Sequence, residues 1–252
     1  MQSWKRVVGE LLSVGYGVKN ALVGAADGLR ILMYHSVVAD SAADRSDIYS
    51  ISRSRFTHHL NYLSEHSADD DLVVRPFSRI DEIGVAITFD DGYRDNLEIV
   101  APLLIERGFP FHVFVNPGFL ISGDRRYLNQ SSLCELARLP GVTIGAHGHS
   151  HKKLTECSPN ELDAELDSSK KWIEDTIGQE ITSMAYPHGA FNNIVTSAVQ
   201  KAGFELAACS RFGLVGANRN KFALERTDIW SSDIVRIFGS KLRGNWDWMK
   251  YA

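Results

Sequence analysis

The most constraining feature of the chain is a series of seven short apolar runs, each followed by a stretch with helical spacing. The runs lie at 30–35, 85–90, 110–116, 142–147, 183–188, 205–210 and 222–227. Near-continuous apolar runs are typical of strands buried on both faces of a parallel sheet. Seven such strands with intervening helices predict an α/β fold, a (β/α) barrel one strand short of eight. A doubly wound open sheet is the alternative.

The clearest helix is predicted to begin after Ser158. Ser158 and Glu161 match a capping box, and Pro159 occupies the first helical position. The apolar stripe that follows consists of Leu162, Leu166, Ile173 and Ile177. Gly178 is expected to end the helix, because glycine adopts the left-handed conformation common at helix C-termini.

Residues 1–28 are predicted to form an N-terminal helical extension, and residues 29–252 a single domain. Apolar residues recur at helical spacing between Trp4 and Leu12, which favours an amphipathic helix packed on the body. The alternative is a helix lying on a membrane surface. Glu10 interrupts the apolar run that a secretory signal would need.

Composition and charge exclude several classes of protein. Lys and Arg total 27 against 31 Asp and Glu, so there is no basic excess for binding nucleic acid. No apolar stretch is long enough to span a bilayer. The three cysteines lack metal or redox spacing, which favours a reducing compartment, and the cytoplasm is the expected location. The polar loops at 39–47 and 67–72 are expected to be solvated surface, with a substrate lid as the alternative.

Polar residues suited to metal binding and acid–base chemistry follow several predicted strands. Catalytic groups of parallel barrels come from the carboxyl ends of the strands. Asp90 and Asp91 end the second strand, and Gly92 provides a turn that would let both carboxylates reach one mouth. One of these aspartates could instead cap the following helix.

A histidine cluster follows the fourth strand. On a helical turn or a tight loop, His147 and His151 are neighbours, so both imidazoles could bind one metal, whereas His149 would point elsewhere. Two neutral histidines and one aspartate suit Zn²⁺ and leave a position open. After the fifth strand, the turn at His188 could present a backbone N–H to a developing oxyanion, or could be an ordinary strand-to-helix turn.

These segments together resemble the polysaccharide deacetylases of carbohydrate esterase family 4, the NodB-like group, over most of the chain from about Leu29. The run TFDDG at 88–92 resembles the first motif of the family, which implies that Asp90 is the general base and Asp91 a metal ligand. The run HGHSHKKL at 147–154 resembles the second motif and implies His147 and His151 as the other ligands. The resemblance implies a distorted (β/α)7 barrel, with residues 29–252 as the deacetylase domain.

The third and fourth motifs depart from the family pattern. Ala185 occupies the place of the arginine that normally partners the base, and Arg226 is a candidate substitute. His188 stands where a tyrosine is usual, so its backbone N–H takes the oxyanion role. The nearest stretch to the fourth motif is DIW at 228–230.

The catalytic acid is expected at the other end of the chain from its usual place. No histidine follows His188, so the usual C-terminal acid is missing. A circularly permuted branch of the family takes this acid from an N-terminal Tyr-His motif. The run MYHSV at 33–37 resembles that motif, which implies that His35 is the acid.

The resemblance implies a metal-dependent deacetylase that removes the acetyl group from an amino sugar of a surface-polysaccharide precursor. The expected cofactor is Zn²⁺, or Co²⁺ or Ni²⁺. Because Glu10 and Lys19 break the pattern of an export signal, the sugar is expected to be linked to a nucleotide, a lipid or an oligosaccharide. A membrane-peripheral location through the N-terminal helix is compatible with this role. One alternative is an amidohydrolase or deformylase of the same fold acting on a non-sugar amide. Trp230, Trp246 and Trp248 favour sugar stacking over this alternative, although tryptophans are more often core residues. The other is a non-catalytic carbohydrate-binding relative, suggested by the missing arginine.

Overall fold

The computed structural model describes residues 9, 13–17, 27–42, 47–68 and 72–251. Its strands are β1 (Leu29–Tyr34), β2 (Ser36–Val38), β3 (Ser50–Ser52), β4 (Gly84–Phe89), β5 (Phe111–Val115), β6 (Val142–Ala146), β7 (Ser183–Ala185), β8 (Leu206–Ala208) and β9 (Thr227–Asp228). Seven of them form one parallel sheet in the order β8-β7-β6-β5-β4-β1-β9, and β2 pairs with β3. These two short strands were not predicted, because three residues are too few to give a periodic pattern.

The order of the strands distinguishes a barrel from an open sheet. From β1 to β8 the sheet follows the chain in one direction, and β9 then pairs with β1 on its other side. A bridge between Ala208 and Leu224 brings the chain before β9 next to β8. A doubly wound sheet would reverse its direction at a switch point. The prediction of a distorted, parallel, barrel-type α/β fold is therefore confirmed, and the open sheet is wrong.

The last strand lies further along the chain than predicted. The run at 222–227 was expected to form it, but β9 comprises only Thr227 and Asp228, which pair with Leu32 and Met33 of β1. Leu224 bridges to β8 instead. This shift leaves Arg226 between the two pairing regions, where its side chain is fully buried.

Helices cover the outside of the sheet: α1 (Arg53–Glu65), α2 (Ala101–Ile105), α3 (Pro117–Ile121), α4 (Gln130–Ala137), α5 (Pro159–Ile177), α6 (Asn193–Lys201) and α7 (Val235–Leu242). A π-helical turn at Asn96–Val100 precedes α2, and short 3₁₀ turns lie at Asp40–Ala42, Leu154–Glu156, Pro187–Gly189 and Asp247–Tyr251. The predicted helix after Ser158 is confirmed as α5. It has the capping box of Ser158 and Glu161, and Gly178 ends it with φ 68°.

Alternate residues of the strands pack into two separate apolar clusters, because side chains of a strand point to opposite faces. The larger cluster includes Leu32, Ile87 and helical residues such as Leu166, so it fills the layer between the sheet and the helices. The smaller one lies inside the barrel and consists of Leu29, Ile31, Phe77, Ile80, Ala86, Phe114, Ala185, Leu206, Ala208, Val215 and Leu224. The polar side chains that follow the strands therefore gather at the carboxyl end of the barrel.

The predicted N-terminal extension lies mostly outside the described residues; Gly9 and residues 13–17 are helical. The two predicted polar loops are described only in part, since residues 43–46 and 69–71 are not among the described ones. Across the described parts of the chain, no helix has both the length and the apolar character needed to cross a membrane. All three cysteines are free thiols.

Candidate metal centre and active site

Asp90 and Asp91 lie at the end of β4, where the chain turns sharply. Asp91 and Gly92 have φ of 74° and 72°, and a Cβ atom at Gly92 would lie 3.1 Å from Val115. Two successive left-handed residues interrupt the alternation of the strand. As a result both carboxylates face His147, whose Nε2 is 4.0 Å from Asp90 Oδ2 and 3.5 Å from Asp91 Oδ1. The prediction that both carboxylates reach one mouth is confirmed.

Asp91, His147 and His151 form a group that could hold a metal ion. One ligand atom from each lies within 4.8 Å of the others, and His151 Nε2 is 3.2 Å from Asp91 Oδ1. Asp91 Oδ1 is buried and accepts no hydrogen bond. A buried carboxylate oxygen without a donor is costly unless a cation neutralises it. The three predicted ligands are thus brought together, and the site fits a divalent cation.

The hydrogen bond of His147 fixes which of its nitrogens faces this site. Its Nδ1 lies 2.8 Å from the carbonyl oxygen of Ala185, and a carbonyl only accepts, so Nδ1 carries the proton. Nε2 then offers a lone pair towards Asp91, as a metal-ligating histidine requires. Burial lowers the pKa of His147 in spite of the nearby Asp90 and Asp91, so the ring is neutral at pH 7. Ala185 therefore contributes its carbonyl where the family arginine is missing.

The loop between the two histidines is held by two buried side chains. Asn116, fully buried, donates from Nδ2 to the carbonyl oxygens of His147 (3.0 Å) and Gly148 (3.1 Å). Glu165 of α5 accepts from the backbone N–H groups of His149 (2.8 Å) and Ser150 (2.9 Å). The positions of both histidines therefore depend on residues that are distant in sequence. Asn116 ends a predicted strand run and was expected at this mouth, whereas the sequence pattern did not identify Glu165.

Glu165→Ala is expected to weaken cation binding by about 10- to 100-fold, the usual cost of losing support behind a ligand. The buried carboxylate accepts from two N–H groups and from the Ser150 hydroxyl, and alanine leaves all three donors without their acceptor. Competition with a chromogenic chelator measures the affinity. Asp167→Asn, an exposed change on the same helix, is the control. Equal affinity of the two variants would contradict this role.

Asp90 forms a buried, two-pronged pair with Arg226. Arg226 Nη1 and Nη2 each lie 2.7 Å from an oxygen of Asp90, and neither side chain is exposed by more than 3%. Arg226 also donates to the carbonyl oxygen of Cys209 at 2.9 Å. Burial alone would raise the pKa of Asp90, but Arg226 and then His147 more than offset it, so its pKa is held below the ordinary range. The hypothesis that Arg226 replaces the missing arginine as the partner of Asp90 is confirmed in its geometry.

His35 lies across the mouth from these residues. Its Nδ1 is buried without a hydrogen-bond partner, as is Oδ1 of Asp228. Burial raises the pKa of Asp228, while Lys241 and then His35 act in the opposite direction, which places His35 near this carboxylate. Tyr49 packs against His35 with ring centroids 4.4 Å apart, and 40% of Tyr49 is exposed. The structure thus adds Asp228 and Tyr49 to the surroundings of His35.

His188 lies on the other side of His151. Its Nε2 donates to the carbonyl oxygen of His151 at 3.1 Å, because that oxygen can only accept. The turn around it is closed by the N–H groups of Gly189 and Ala190, and the side chain of His188 is exposed. A cleft of about 450 Å³ opens beside the two histidines. It is lined by His151, Lys152, Lys153, Glu156, Cys157, Glu161 and His188.

Backbone strain is concentrated at this mouth. Among the described residues, the non-glycine residues with positive φ are Asp91, His151 and His188, at 74°, 58° and 59°. Such conformations are sparsely populated and persist where the surrounding structure over-determines them. All three lie in the predicted site, which supports a functional reason for their placement.

Two of the tryptophans proposed for sugar stacking are core residues. Trp230 and Trp246 are 9% and 3% exposed. The buried Lys241 ammonium lies 3.6 Å from the Trp230 ring centroid and donates to Asp233 at 2.6 Å. These side chains hold α7 against the barrel. Next to His35, the exposed aromatic ring is that of Tyr49.

Comparison with known proteins relates the chain to one family. The polysaccharide deacetylase family model matches residues 79–207, just over half of the chain. YxkH of Bacillus subtilis (strain 168), whose name assigns it to the polysaccharide deacetylases, is 26% identical over 84% of this chain and 75% of its own. The poly-β-1,6-N-acetyl-D-glucosamine N-deacetylase of Staphylococcus aureus (strain MSSA476) is 23% identical over 71% of this chain and 67% of its own.

Solved structures show the same fold. The Streptococcus pyogenes deacetylase PplD, in complex with acetate, aligns with a TM-score of 0.72 at 18% identity, over 85% of this chain and 98% of its own. IcaB from Ammonifex degensii aligns with a TM-score of 0.70 at 19% identity, over 88% of this chain and 98% of its own. The chain is a member of the polysaccharide deacetylase family.

Proposed function

We propose that this protein is a metal-dependent N-deacetylase that hydrolyses the acetamide of an N-acetylated amino sugar in a surface polysaccharide or its precursor. The observation that carries the proposal is the ionised Asp90, held by Arg226 beside the Asp91–His147–His151 group. Amide hydrolysis needs a base for water, stabilisation of the oxyanion and an acid for the leaving amine. Groups suited to each task line this mouth.

Asp91, His147 and His151 would hold the cation, and zinc suits a set of two imidazoles and one carboxylate. When bound, a divalent cation would supply Lewis-acid activation of water and of the acetamide carbonyl. The neutral state of His147 and the unpartnered Asp91 Oδ1 support this assignment. The remaining steps belong to side chains that do not bind the cation.

Asp90 acts as the general base. Its Oδ2 is 4.0 Å from His147 Nε2, so it borders the cation site without belonging to the ligand group. The carboxylate takes a proton from the attacking water, and Arg226 stabilises the ionised form before that transfer. The non-catalytic alternative was suggested by the missing arginine. Because Arg226 pairs with Asp90 in its place, that reason no longer applies.

His35 acts as the proton donor to the leaving nitrogen. Because Nδ1 is buried, Nε2 is the nitrogen available to a substrate. Asp228 lies near the ring, and an ionised carboxylate there would favour a positive charge on the imidazole. The backbone N–H of His188, which the turn bonds of Gly189 and Ala190 leave unused, is assigned to the carbonyl oxygen of the acetamide.

The substrate is an N-acetylhexosamine within a glycan. Relatives include enzymes named for poly-β-1,6-N-acetyl-D-glucosamine. Tyr49 offers an exposed aromatic face beside His35, a surface suited to the apolar face of a pyranose ring. The cleft of about 450 Å³ next to His151 provides room for a neighbouring sugar. A sugar linked to a nucleotide or lipid is the alternative form of the substrate.

Acetate release from a substrate panel tests this proposal. The panel contains β-1,6- and β-1,4-linked N-acetylglucosamine oligomers, UDP-N-acetylglucosamine, an N-formyl sugar and an N-acetyl amino acid. We expect acetate from a sugar oligomer or from the nucleotide sugar, and its loss on chelation. Release from the amino acid alone would favour the non-sugar amidohydrolase, and hydrolysis of the N-formyl sugar alone would favour a deformylase.

A cytoplasmic or membrane-peripheral location is part of the same proposal. It rests on the pattern around Glu10, where a charge interrupts the apolar run. Fractionation of cells that express the native protein tests it. Recovery from the soluble or salt-washable membrane fraction is expected, whereas recovery outside the cell would contradict it.

A further inference from the structure

The turn that follows Asp90 and Asp91 also contacts the backbone on both sides of His35. It leads into the π-helical turn Asn96–Val100, an irregular element that is frequent at functional sites. Asp95 and Asn96 stand at its start. Their side chains point towards the segment between β1 and β2, which carries His35.

Asn96 and Asp95 together fasten three consecutive residues. Asn96 Nδ2 donates to the carbonyl oxygen of His35 at 3.1 Å and to Asp95 Oδ1 at 3.0 Å. Asp95 Oδ1 also accepts from the Val37 N–H at 3.0 Å, and Asp95 Oδ2 accepts from the Ser36 hydroxyl at 2.5 Å. Asn96 is fully buried. Residues 35 to 37 are therefore each bonded to this turn, His35 and Val37 through the backbone and Ser36 through its hydroxyl.

The geometry explains the residue type at each position. Asn96 Nδ2 lies between two acceptors, the His35 carbonyl and the Asp95 carboxylate, so only a donor fits there. An aspartate at 96 would have the same shape but no donor, and would face both acceptors. Asp95 Oδ1 receives two donors at once, which an amide oxygen could also do.

The imidazole of His35 depends on this support. Its Nδ1 has no hydrogen-bond partner, and the ring contact with Tyr49 does not fix its direction along the mouth. With no side-chain hydrogen bond of its own at Nδ1, the ring is positioned mainly by its backbone. A shift of about 1 Å in a group that must meet a reacting atom can cost about 100-fold in rate.

We propose that Asp95 and Asn96 are positioning residues for His35, an inference that rests on the proposed function, in which His35 is the proton donor. The run from 90 to 96 then has two tasks: its first two residues supply the base and a metal ligand, and its last two set the place of the acid between β1 and β2. One turn thereby fixes the positions of both the acid and the base.

The test compares Asn96→Asp and Asn96→Ala with Glu98→Gln, which removes only an exposed pair with Arg94. Both Asn96 variants are expected to lower kcat by about 30- to 100-fold. We expect KM and bound metal to stay within about twofold of wild type, because the metal-ligand loop is held by other residues. Asp95→Ala, which leaves the Ser36 hydroxyl, the Val37 N–H and Asn96 Nδ2 without their acceptor, is expected to lower kcat by a similar factor.

A second measurement does not depend on turnover. In protein labelled with ¹⁵N-histidine, the ring resonances of His35 are assigned through His35→Gln. They are expected to move in the Asn96 variants, while those of His147 do not. Unchanged His35 resonances and kcat in a folded Asn96→Ala would overturn the inference, as would an equal loss of bound metal. If wild type deacetylates nothing in the panel, the proposed function fails, and the His35 resonances still decide the inference.

Discussion

Asp90→Asn is expected to lower kcat/KM by about 10²- to 10⁴-fold, the usual contribution of a general base. An amide cannot take the proton of the attacking water at neutral pH. The protein should keep its cation, because Asp90 lies outside the Asp91–His147–His151 group. Acetate release and metal content are measured on the same preparation.

The control for this variant is its stability. In wild type both oxygens of Asp90 accept from Arg226 at 2.7 Å. The amide nitrogen of the variant would place a donor against a guanidinium nitrogen, which lowers stability. Thermal unfolding therefore separates a folding defect from a catalytic one. Turnover within about tenfold of wild type in a folded, metal-loaded Asp90→Asn would show that Asp90 is not the base.

Arg226→Met is expected to cost about 3–5 kcal/mol of unfolding free energy at neutral pH, because it leaves a buried carboxylate without its partner. Methionine fills much of the space without charge, so the loss of unfolding free energy comes mainly from the missing ion pair with Asp90 and less from a cavity. Arg226→Lys keeps the charge but not the planar guanidinium group, so its unfolding free energy should lie between those of wild type and Arg226→Met. Denaturant titrations of the three proteins measure these differences.

Arg226→Met should also change the pH dependence of kcat/KM and of stability in a defined direction. In wild type the pKa of Asp90 is lowered, so its contribution to stability is present above the unfolded pKa of about 3.9 and is lost as the pH falls further. Without Arg226, burial raises that pKa. The acidic limb of kcat/KM should then move to higher pH, and the stability gap to wild type should shrink as the pH falls towards 4. An unmoved limb and a constant gap would contradict the role of Arg226.

The sequence was sufficient to predict the barrel and the ligand group because both follow from local rules. Buried runs of parallel strands end at one side of a sheet, so residues after different strands meet there. The motifs around Asp91 and His147 are short, and each histidine or aspartate is close to a strand end. The capping box of α5 is likewise a local pattern.

Other parts of the site depend on contacts between distant residues. The pair of Arg226 and Asp90 spans 136 positions, and the arginine could be offered from the sequence only as a candidate. Glu165 looks like any acidic residue of an amphipathic helix, and its burial comes from docking against the histidine loop. The position of β9 was predicted wrongly for a similar reason. Pairing with β1, a distant part of the chain, determines where this strand lies, and its own apolar run does not.

The proposed function requires one coupling above all, between metal bound at Asp91, His147 and His151 and acetate release. We would titrate metal-free protein with zinc and follow bound metal and acetate release from an N-acetylglucosamine oligomer together, with His147→Ala in parallel. We expect one zinc per chain in wild type, activity that rises in proportion to occupancy, and neither in the variant. Full activity in the metal-free protein, or a zinc equivalent retained by folded His147→Ala, would contradict it.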